Sequence, residues 1–189
     1  DCRIKKDWVF NMVNSTLKFN GISIGFSKVI AFTLFEKYQL IDFLGIITVN
    51  AGAAGWGQFW SGTGQNLAYF KKDYEKINGF EPVKNEISGD DMYLVQAITK
   101  LKTGFININP DSFVKTKALK TIKEFINQRA RWSSNSKKNI KNKPFFLFLL
   151  STFLINTLIL FLFITNKNWF FIFFIKSCLD GFVLFLGGK

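Results

Sequence analysis

Two adjacent carboxylates, Asp90 and Asp91, follow a glycine in the stretch Ser88-Gly89-Asp90-Asp91, where a helix is predicted to begin. In the first turn of a helix, such carboxylates stabilise the N-terminus through capping and the helix dipole. They also suit a general base, because the chain contains no histidine and acid–base work must fall to carboxylates. On spacing alone, the structural role is the more common one.

A second candidate group is Gln128, Arg131 and Trp132, in the stretch INQRARW. On a helix these residues share one face, whereas Arg129 lies about 100° away from Gln128. A guanidinium binds phosphate oxygens, an amide adds hydrogen bonds, and an indole offers a flat apolar surface, as a nucleotide-sugar or glycan site requires. A basic, aromatic patch beside a membrane uses the same residue types. Composition leaves both interpretations open.

A third candidate group is the glycine-rich stretch from Gly62 to Asn66, which follows Trp60. Glycines allow a ligand to approach the backbone closely, and clustered aromatic side chains can stack on sugar rings. Turn formation and core packing are the more frequent uses of such residues. These residues are therefore candidates only in combination with other motifs.

Composition narrows the possible functions. The absence of histidine excludes a Ser-His-Asp triad and histidine metal ligands. Cys2 and Cys178 lie at opposite ends of the sequence, which argues against a disulfide framework or a paired-cysteine metal site.

Residues 115–143 contain ten Lys and Arg against one acidic residue, a net +9 of the chain's +12. This tract indicates phosphate groups or a membrane surface; we expect no nucleic acid, because no recognised motif accompanies it.

Two apolar segments at the end of the sequence predict membrane helices. Residues 144–164 carry no charge and would form a helix of about 30 Å, enough to cross a bilayer. Residues 169–186 are apolar apart from Lys176 and Asp180, which are four residues apart and can pair on one helix face. Lysines just before the first segment place the preceding domain in the cytoplasm.

The preceding residues predict alternating strands and helices, and hence an α/β domain. We divide the chain into this domain at 1–135, a basic linker at 136–143, and a helical hairpin at 144–189. The predicted strands are 22–29, 59–62 and 105–109; the predicted helices are 31–47, 69–77, 90–101 and 121–132; and 50–57 is predicted to be a glycine-rich loop.

Taken together, the three motifs resemble those of the family 2 glycosyltransferases, the membrane-bound group that includes cellulose, chitin and hyaluronan synthases. Residues 59–80 are similar to the acceptor-side segment, with its glycines, its Asn-x-Ala-Tyr run and a closing Gly-Phe. Asp90 and Asp91 resemble the acidic motif that supplies the catalytic base. Residues 128–132 match the Gln-x-x-Arg-Trp signature, and paired membrane helices follow, as in the family.

The resemblance implies that the first domain is the C-terminal part of a GT-A-type catalytic domain. Asp1, followed by Cys2 and later Trp8, resembles the last residue of the Asp-x-Asp motif that binds Mg²⁺ or Mn²⁺. We therefore expect the chain to be a C-terminal fragment, with Asp1 as a metal ligand. We also expect an integral protein of the bacterial plasma membrane, with its catalytic domain in the cytoplasm.

The activity implied is inverting transfer of a sugar from a nucleoside-diphosphate sugar to a glycan or lipid acceptor, in polysaccharide or glycolipid synthesis. Asp91 would deprotonate the acceptor hydroxyl, and Asp90 would hold the acceptor or support Asp91. The remaining binding residues that the resemblance implies are Gln128, Arg131, Trp132, Trp60, Gly62 and Asn66. The family often has Thr-Glu-Asp where this chain has Ser-Gly-Asp-Asp, which leaves the role of Asp90 open.

An alternative function is a non-catalytic binding or scaffolding module anchored in the membrane. In that case, the basic tract would contact anionic lipid headgroups, and no reaction would occur.

Overall fold

The computed structural model describes residues 2–139 and 142–187, and the chain divides into two compact units, Asp1–Ser133 and Ser134–Lys189. The first unit is mixed α/β, as predicted. Its strands are β1 (Cys2–Arg3), β2 (Ile22–Gly25), β3 (Ser27–Ile30), β4 (Leu67–Ala68), β5 (Gly104–Asn107) and β6 (Val114–Lys117). The helices of the chain are α1 (Trp8–Phe19), α2 (Leu34–Gly55), α3 (Lys71–Lys76), α4 (Asp90–Leu101), α5 (Ile122–Asn139), α6 (Lys143–Thr165) and α7 (Phe170–Gly187).

The strands form two three-stranded sheets. In one sheet β2 lies between β4 and β5, antiparallel to β4 and parallel to β5. In the other, β6 lies between β1 and β3, antiparallel to β1 and parallel to β3. The predicted strand 22–29 therefore exists, but it is divided at Phe26, where the chain leaves one sheet and enters the other.

A glycine fixes the start of the parallel pair β2–β5. The N–H of Ile22 donates to the carbonyl oxygen of Thr103 at 3.2 Å. A Cβ atom on Gly21 would lie 1.9 Å from that same oxygen, a separation that no side chain can adopt. Glycine at this position therefore lets the two strands approach each other in the observed register.

The core of the first unit forms where α4 covers one face of the β4-β2-β5 sheet. Ile22 and Ile24 of β2 pack against a stripe on α4 that consists of Leu94, Val95 and Ile98. The alternation of side chains along a strand sends Ser23 to the other face. There, its hydroxyl donates to Ser15 of α1 at 3.0 Å. The sheet thus lies between α1 and α4.

Two local predictions were wrong. Residues 50–55 are helical rather than a loop, because three alanines with high helix propensity continue α2 to Gly55. The helix then ends beside Gly57, whose φ of 74° lies in the left-handed region. Residues 59–62 form no strand; the strand of this region is β4, beginning at Leu67.

Other elements agree with the prediction or were missed. Helix α4 has the predicted bounds, and α3 ends as predicted before Asn78 and Gly79, both of which have positive φ. Helix α5 is longer than predicted and continues to Asn139. The sequence did not predict α1, β1 or β6.

The second unit contains α6 and α7. Both are long and apolar enough to cross a membrane by length and composition, and no residue of either apolar window is buried. Lys176 and Asp180 form the predicted ion pair along α7.

Candidate active site

The position of Asp91 follows from the way α4 begins. Gly89 precedes the helix with a φ of 93°, a conformation that favours glycine. Asp91 stands three and four residues before the buried Leu94 and Val95, so it occupies the first position of the stripe that α4 buries. It is consequently half-buried, whereas Asp90 is exposed.

Two backbone N–H groups hold the Asp91 carboxylate. The N–H of Gly64 donates to one carboxylate oxygen at 3.1 Å, and the N–H of Met92 donates to the other at 2.7 Å. A Cβ atom on Gly64 would be 3.5 Å from the Cβ of Asp91, which shows how closely the glycine-rich loop approaches the helix. The loop and α4 therefore meet at this carboxylate.

The surroundings of Asp91 make its carboxylate more basic than usual. Burial raises the pKa of Asp91 above its ordinary value of 3.8, and the negative charge of Asp90 adds to the rise. The N–H donors of Gly64 and Met92 stabilise the ionised form and offset part of this increase in pKa. A carboxylate with a raised pKa at the edge of the core is suited to accept a proton.

Asn66 fixes the end of the loop that carries Gly64. It is fully buried, and its amide nitrogen donates to the carbonyl oxygens of Phe26 at 2.7 Å and Ser112 at 2.8 Å. Its amide oxygen accepts from the indole N–H of Trp8 at 2.9 Å. Burial and these hydrogen bonds give Asn66 a supporting role in the loop; the ligand contact that the sequence suggested stays a prediction.

Gly62 and Trp60 also belong to the framework of the loop. A Cβ atom on Gly62 would lie 2.9 Å from the side chain of Leu67 and 3.1 Å from that of Val95, so this glycine is pressed onto the core. Trp60 is only 7% exposed, and its carbonyl oxygen accepts from the side chain of Gln96 at 2.7 Å. Together they shape the loop that brings Gly64 to Asp91, and a ligand contact for either residue stays a prediction.

An ion pair between α2 and α5 organises the Gln-x-x-Arg-Trp signature. Nε of Arg129 donates to Asp42 Oδ2 at 2.8 Å, and Nη2 of the same guanidinium bonds to the same oxygen. The remaining terminal nitrogen, Nη1, donates to the amide oxygen of Gln128 at 2.6 Å. Arg129 thus connects Gln128 to α2.

Arg129 also stacks on aromatic rings. Its guanidinium carbon lies 4.3 Å from the ring centroid of Trp132 and 4.4 Å from that of Phe125. Trp132 in turn meets the ring of Phe43 on α2, at a centroid distance of 6.0 Å. We call the group of Asp42, Phe43, Phe125, Arg129 and Trp132 the α2–α5 clamp.

The clamp includes Arg129, which the sequence analysis placed about 100° away from Gln128 and outside the face shared by Gln128, Arg131 and Trp132. Phe125 and Trp132 define the side of α5 that packs on α2, and Arg129 lies only about 60° from Trp132 around the helix. Arg131 lies beyond Gln128 on the far edge of that side and is exposed. The structure therefore brings Gln128 and Trp132 together around Arg129, with Arg131 outside the clamp.

The residues described by the structure do not assemble a metal site. No three Asp, Glu, Cys or His side chains come together within residues 2–139 and 142–187 in a way that would hold an ion. Asp1, the predicted metal ligand, lies outside the described residues.

The clamp predicts unequal effects of the two arginines on stability. Arg129→Ala should lower the free energy of unfolding by about 1–3 kcal/mol, because it leaves the partly buried Asp42 carboxylate without its partner. Arg131→Ala is the matched control on the same helix and should have a smaller effect, because Arg131 is exposed. Thermal unfolding of both purified variants, followed by tryptophan fluorescence, measures the difference; equal effects would contradict the clamp.

The protein class follows from known sequence families. No curated protein matches the chain significantly. The family model described as "Glycosyl transferase family 21" matches residues 11–184, a range that includes Asp91, the glycine-rich loop and the signature of α5. The match confirms the glycosyltransferase class that the motifs predicted, although the matching family is 21 and not family 2. The chain belongs to glycosyl transferase family 21.

Proposed function

We propose that this chain is part of a membrane-bound inverting glycosyltransferase, which transfers a sugar from a nucleoside-diphosphate sugar to a hydroxyl group of a glycan or lipid acceptor. Membership of a glycosyltransferase family supports sugar transfer in general. The observation that carries the proposal is the half-buried Asp91, whose carboxylate is held by Gly64 and whose pKa is raised. The nucleotide donor, the acceptor classes and the inversion belong to the proposal.

The proposed reaction is a single displacement. The acceptor hydroxyl oxygen attacks the anomeric carbon of the donor sugar, and Asp91 accepts the proton that this oxygen loses. The bond between the anomeric carbon and the diphosphate breaks, and the nucleoside diphosphate leaves with the electron pair. Each oxygen of Asp91 accepts one backbone hydrogen bond and retains a further lone pair, so the carboxylate can take the proton without leaving its position.

Asp90 has a supporting role in this proposal. It is exposed, and its negative charge contributes to the raised pKa of Asp91. Asp90 therefore strengthens the base electrostatically. Its exposed carboxylate can also accept a hydrogen bond from the acceptor.

The signature of α5 is proposed to receive the leaving group. Arg131 is exposed, and its guanidinium can neutralise the charge that develops on the diphosphate. The amide oxygen of Gln128 accepts from Arg129, which orients the amide nitrogen as a donor. We propose that Trp132 mainly supports these residues through the clamp. Stacking on a sugar ring, which the family 2 resemblance implies, is the second role proposed for Trp132. Binding of Mg²⁺ or Mn²⁺ through Asp1 remains a proposal.

The membrane attachment is proposed from α6 and α7. Their length and apolar composition suit a helical hairpin within a bilayer. Lysines before α6 favour a catalytic domain on the cytoplasmic side of the membrane. We propose that this membrane is the plasma membrane of a bacterial cell. The catalytic domain would then bind its glycan or lipid acceptor at that surface.

Asp91→Asn should reduce sugar transfer by about 10²- to 10⁴-fold, the usual contribution of a general base. The variant should not lose stability. The folded pKa of Asp91 is raised, so protonation favours the folded state, and ionisation opposes folding as pH rises through the folded pKa. Membranes containing the complete protein would be assayed with a panel of radiolabelled nucleotide sugars, and thermal unfolding would be measured in parallel.

Asp111→Asn is the control for that experiment, because Asp111 is exposed and pairs with Lys5 at the surface. Its transfer rate should match the wild type. Full activity of Asp91→Asn would refute the assignment of the base, whereas a wild-type protein that transfers no sugar from any donor of the panel would favour the scaffolding alternative.

Gly64→Pro should move the acidic limb of the pH–rate profile to higher pH. The substitution removes the N–H that lowers the pKa of Asp91, so a larger fraction of the carboxyl is protonated at a given pH. Gly64→Ala is the matched control, since it keeps the N–H and its Cβ would lie at ordinary contact distances from Asp91. The measurement is kcat/KM against pH, with circular dichroism confirming the fold; superimposable profiles for proline and alanine would count against the hydrogen bond.

A further inference from the structure

The β1-β6-β3 sheet carries cations on one of its two faces. Its register pairs Arg3 with Lys115 in antiparallel strands, and Lys115 with Lys28 in parallel strands. Residues paired in this way point to the same side of a sheet, in strands about 4.8 Å apart. All three side chains are exposed, and the exposed Lys117, two residues beyond Lys115, points to the same side. We call the surface formed by Arg3, Lys28, Lys115 and Lys117 the cationic face.

The opposite face of the same sheet is packed. Val29 and Val114 are buried there. The hydroxyl oxygen of Ser27 lies 3.1 Å from that of Thr63, in the glycine-rich loop. Because these contacts hold the sheet from behind, the backbone that carries the cations is fixed. A ligand of the cationic face would meet charges already in position, which reduces the ordering cost of binding.

The charges of the cationic face repel one another in the free protein. Like charges that stand directly opposite each other in neighbouring strands destabilise a sheet. The strands β1, β3 and β6 contain no acidic residue that could offset this repulsion. By contrast Lys5, two residues after Arg3, forms an ion pair with Asp111 at 3.0 Å. Anionic groups bound across the three strands would remove the repulsion.

Two aromatic rings lie beside the cationic face. The backbone of Phe113 is extended, with φ −73° and ψ 136°, so Phe113 continues the alternation of β6 and points to the same side as Lys115. Phe26 stacks on Phe113 with 5.5 Å between the ring centroids, and both residues are only partly buried. Such rings offer flat apolar surfaces on which sugar rings can stack. Cations and aromatic rings therefore occur together on one surface.

We propose that the cationic face, together with Phe26 and Phe113, binds a glycan that carries carboxylate or phosphate groups; the choice of a glycan rests on the proposed sugar-transfer function. Guanidinium and ammonium groups bind carboxylate and phosphate oxygens. Each of the three strands supplies one cation, an arrangement that suits an extended chain with repeated anionic groups. The site holds the glycan by non-covalent contacts and takes no part in the proton transfer to Asp91.

An acidic polypeptide is the alternative occupant of the cationic face. It would satisfy the same charges, but it lacks the sugar rings that Phe26 and Phe113 would contact. The two aromatic rings therefore favour the glycan, and the experiment compares the two classes directly.

The experiment measures the binding of fluorescein-labelled chains to the purified complete protein by fluorescence anisotropy. The probes are an oligogalacturonate, which carries carboxylates; its methyl-esterified form, which keeps the sugar chain without the charges; and a phosphorylated maltooligosaccharide. Labelled polyglutamate represents acidic polypeptides. The test variant is Lys28→Gln/Lys115→Gln. The matched control, Lys76→Gln/Lys100→Gln, removes two exposed lysines from α3 and α4.

We expect the wild type to bind at least one of the two anionic glycans, and the relative affinities to identify the preferred anionic group. Lys28→Gln/Lys115→Gln should bind that glycan about tenfold more weakly, because two exposed charge contacts are lost. The control variant should bind like the wild type, and the methyl-esterified chain should bind much more weakly than the oligogalacturonate. Added salt should weaken the binding of the anionic probes.

Thermal unfolding without ligand separates binding from folding. Lys28→Gln/Lys115→Gln should be at least as stable as the wild type, because it relieves the repulsion between neighbouring strands. Lower stability would mean that the two lysines support the fold, and would overturn the inference.

Two binding results would also overturn the inference. One is equal affinity of both double variants for the anionic glycans. The other is polyglutamate binding as tight as that of the glycans, which would identify an acidic protein as the partner. A wild-type protein that transfers no sugar from any donor of the panel would instead contradict the proposed function, whatever these binding results are.

Discussion

The hydrogen bond from Gly64 to Asp91 is the interaction on which the candidate active site depends, because it joins the glycine-rich loop to the N-terminus of α4. Asn66 fixes one end of that loop at the junction between the two sheets, and Gly62 allows its middle to rest on the core. The left-handed conformation of Gly89 lets α4 begin where its first turn can meet the loop. These contacts together bring the N–H group of Gly64 to the carboxylate of Asp91.

The same arrangement lowers the stability of the fold while it raises the basicity of Asp91. Placing a carboxylate at the start of an apolar stripe removes water from it, and backbone donors, chiefly the N–H groups of Gly64 and Met92, offset only part of that loss. Ionised Asp91 consequently opposes folding at neutral pH, while being a better proton acceptor than an exposed aspartate. Conflict between stability and basicity at one residue is expected where that residue acts on a substrate.

Sequence reasoning predicted the elements whose signals are local. The apolar period of α4, the Asn78-Gly79 end of α3 and the uncharged length of α6 depend on neighbouring residues, and the structure agrees with each. The family resemblance also singled out Asp91, whose role as the base stays a prediction. The continuation of α2 after Asn50 was missed although its cause, the helix propensity of three alanines, is also local. What the sequence could not show depends on tertiary contacts: Arg129 pairs with Asp42, which lies far away in the sequence.

The candidate binding residues illustrate the same limit. Trp60, Gly62 and Asn66 are residue types expected of a sugar site, and the structure shows that they also build the loop; their contact with a ligand stays a prediction. Gly64 was not singled out, because an N–H donor has no signature in the sequence. The glycine-x-glycine spacing was the signal that could have drawn attention to it.

The most direct test of the central claim is the anomeric configuration of the transferred sugar. A single displacement, with Asp91 taking the proton from the acceptor, must invert the configuration of the donor's anomeric carbon. The product formed by the complete protein from its nucleotide-sugar donor would be examined by NMR, and the coupling constant of the anomeric proton would report its configuration. Inversion is the predicted result; retention would require a different mechanism and would contradict the role proposed for Asp91.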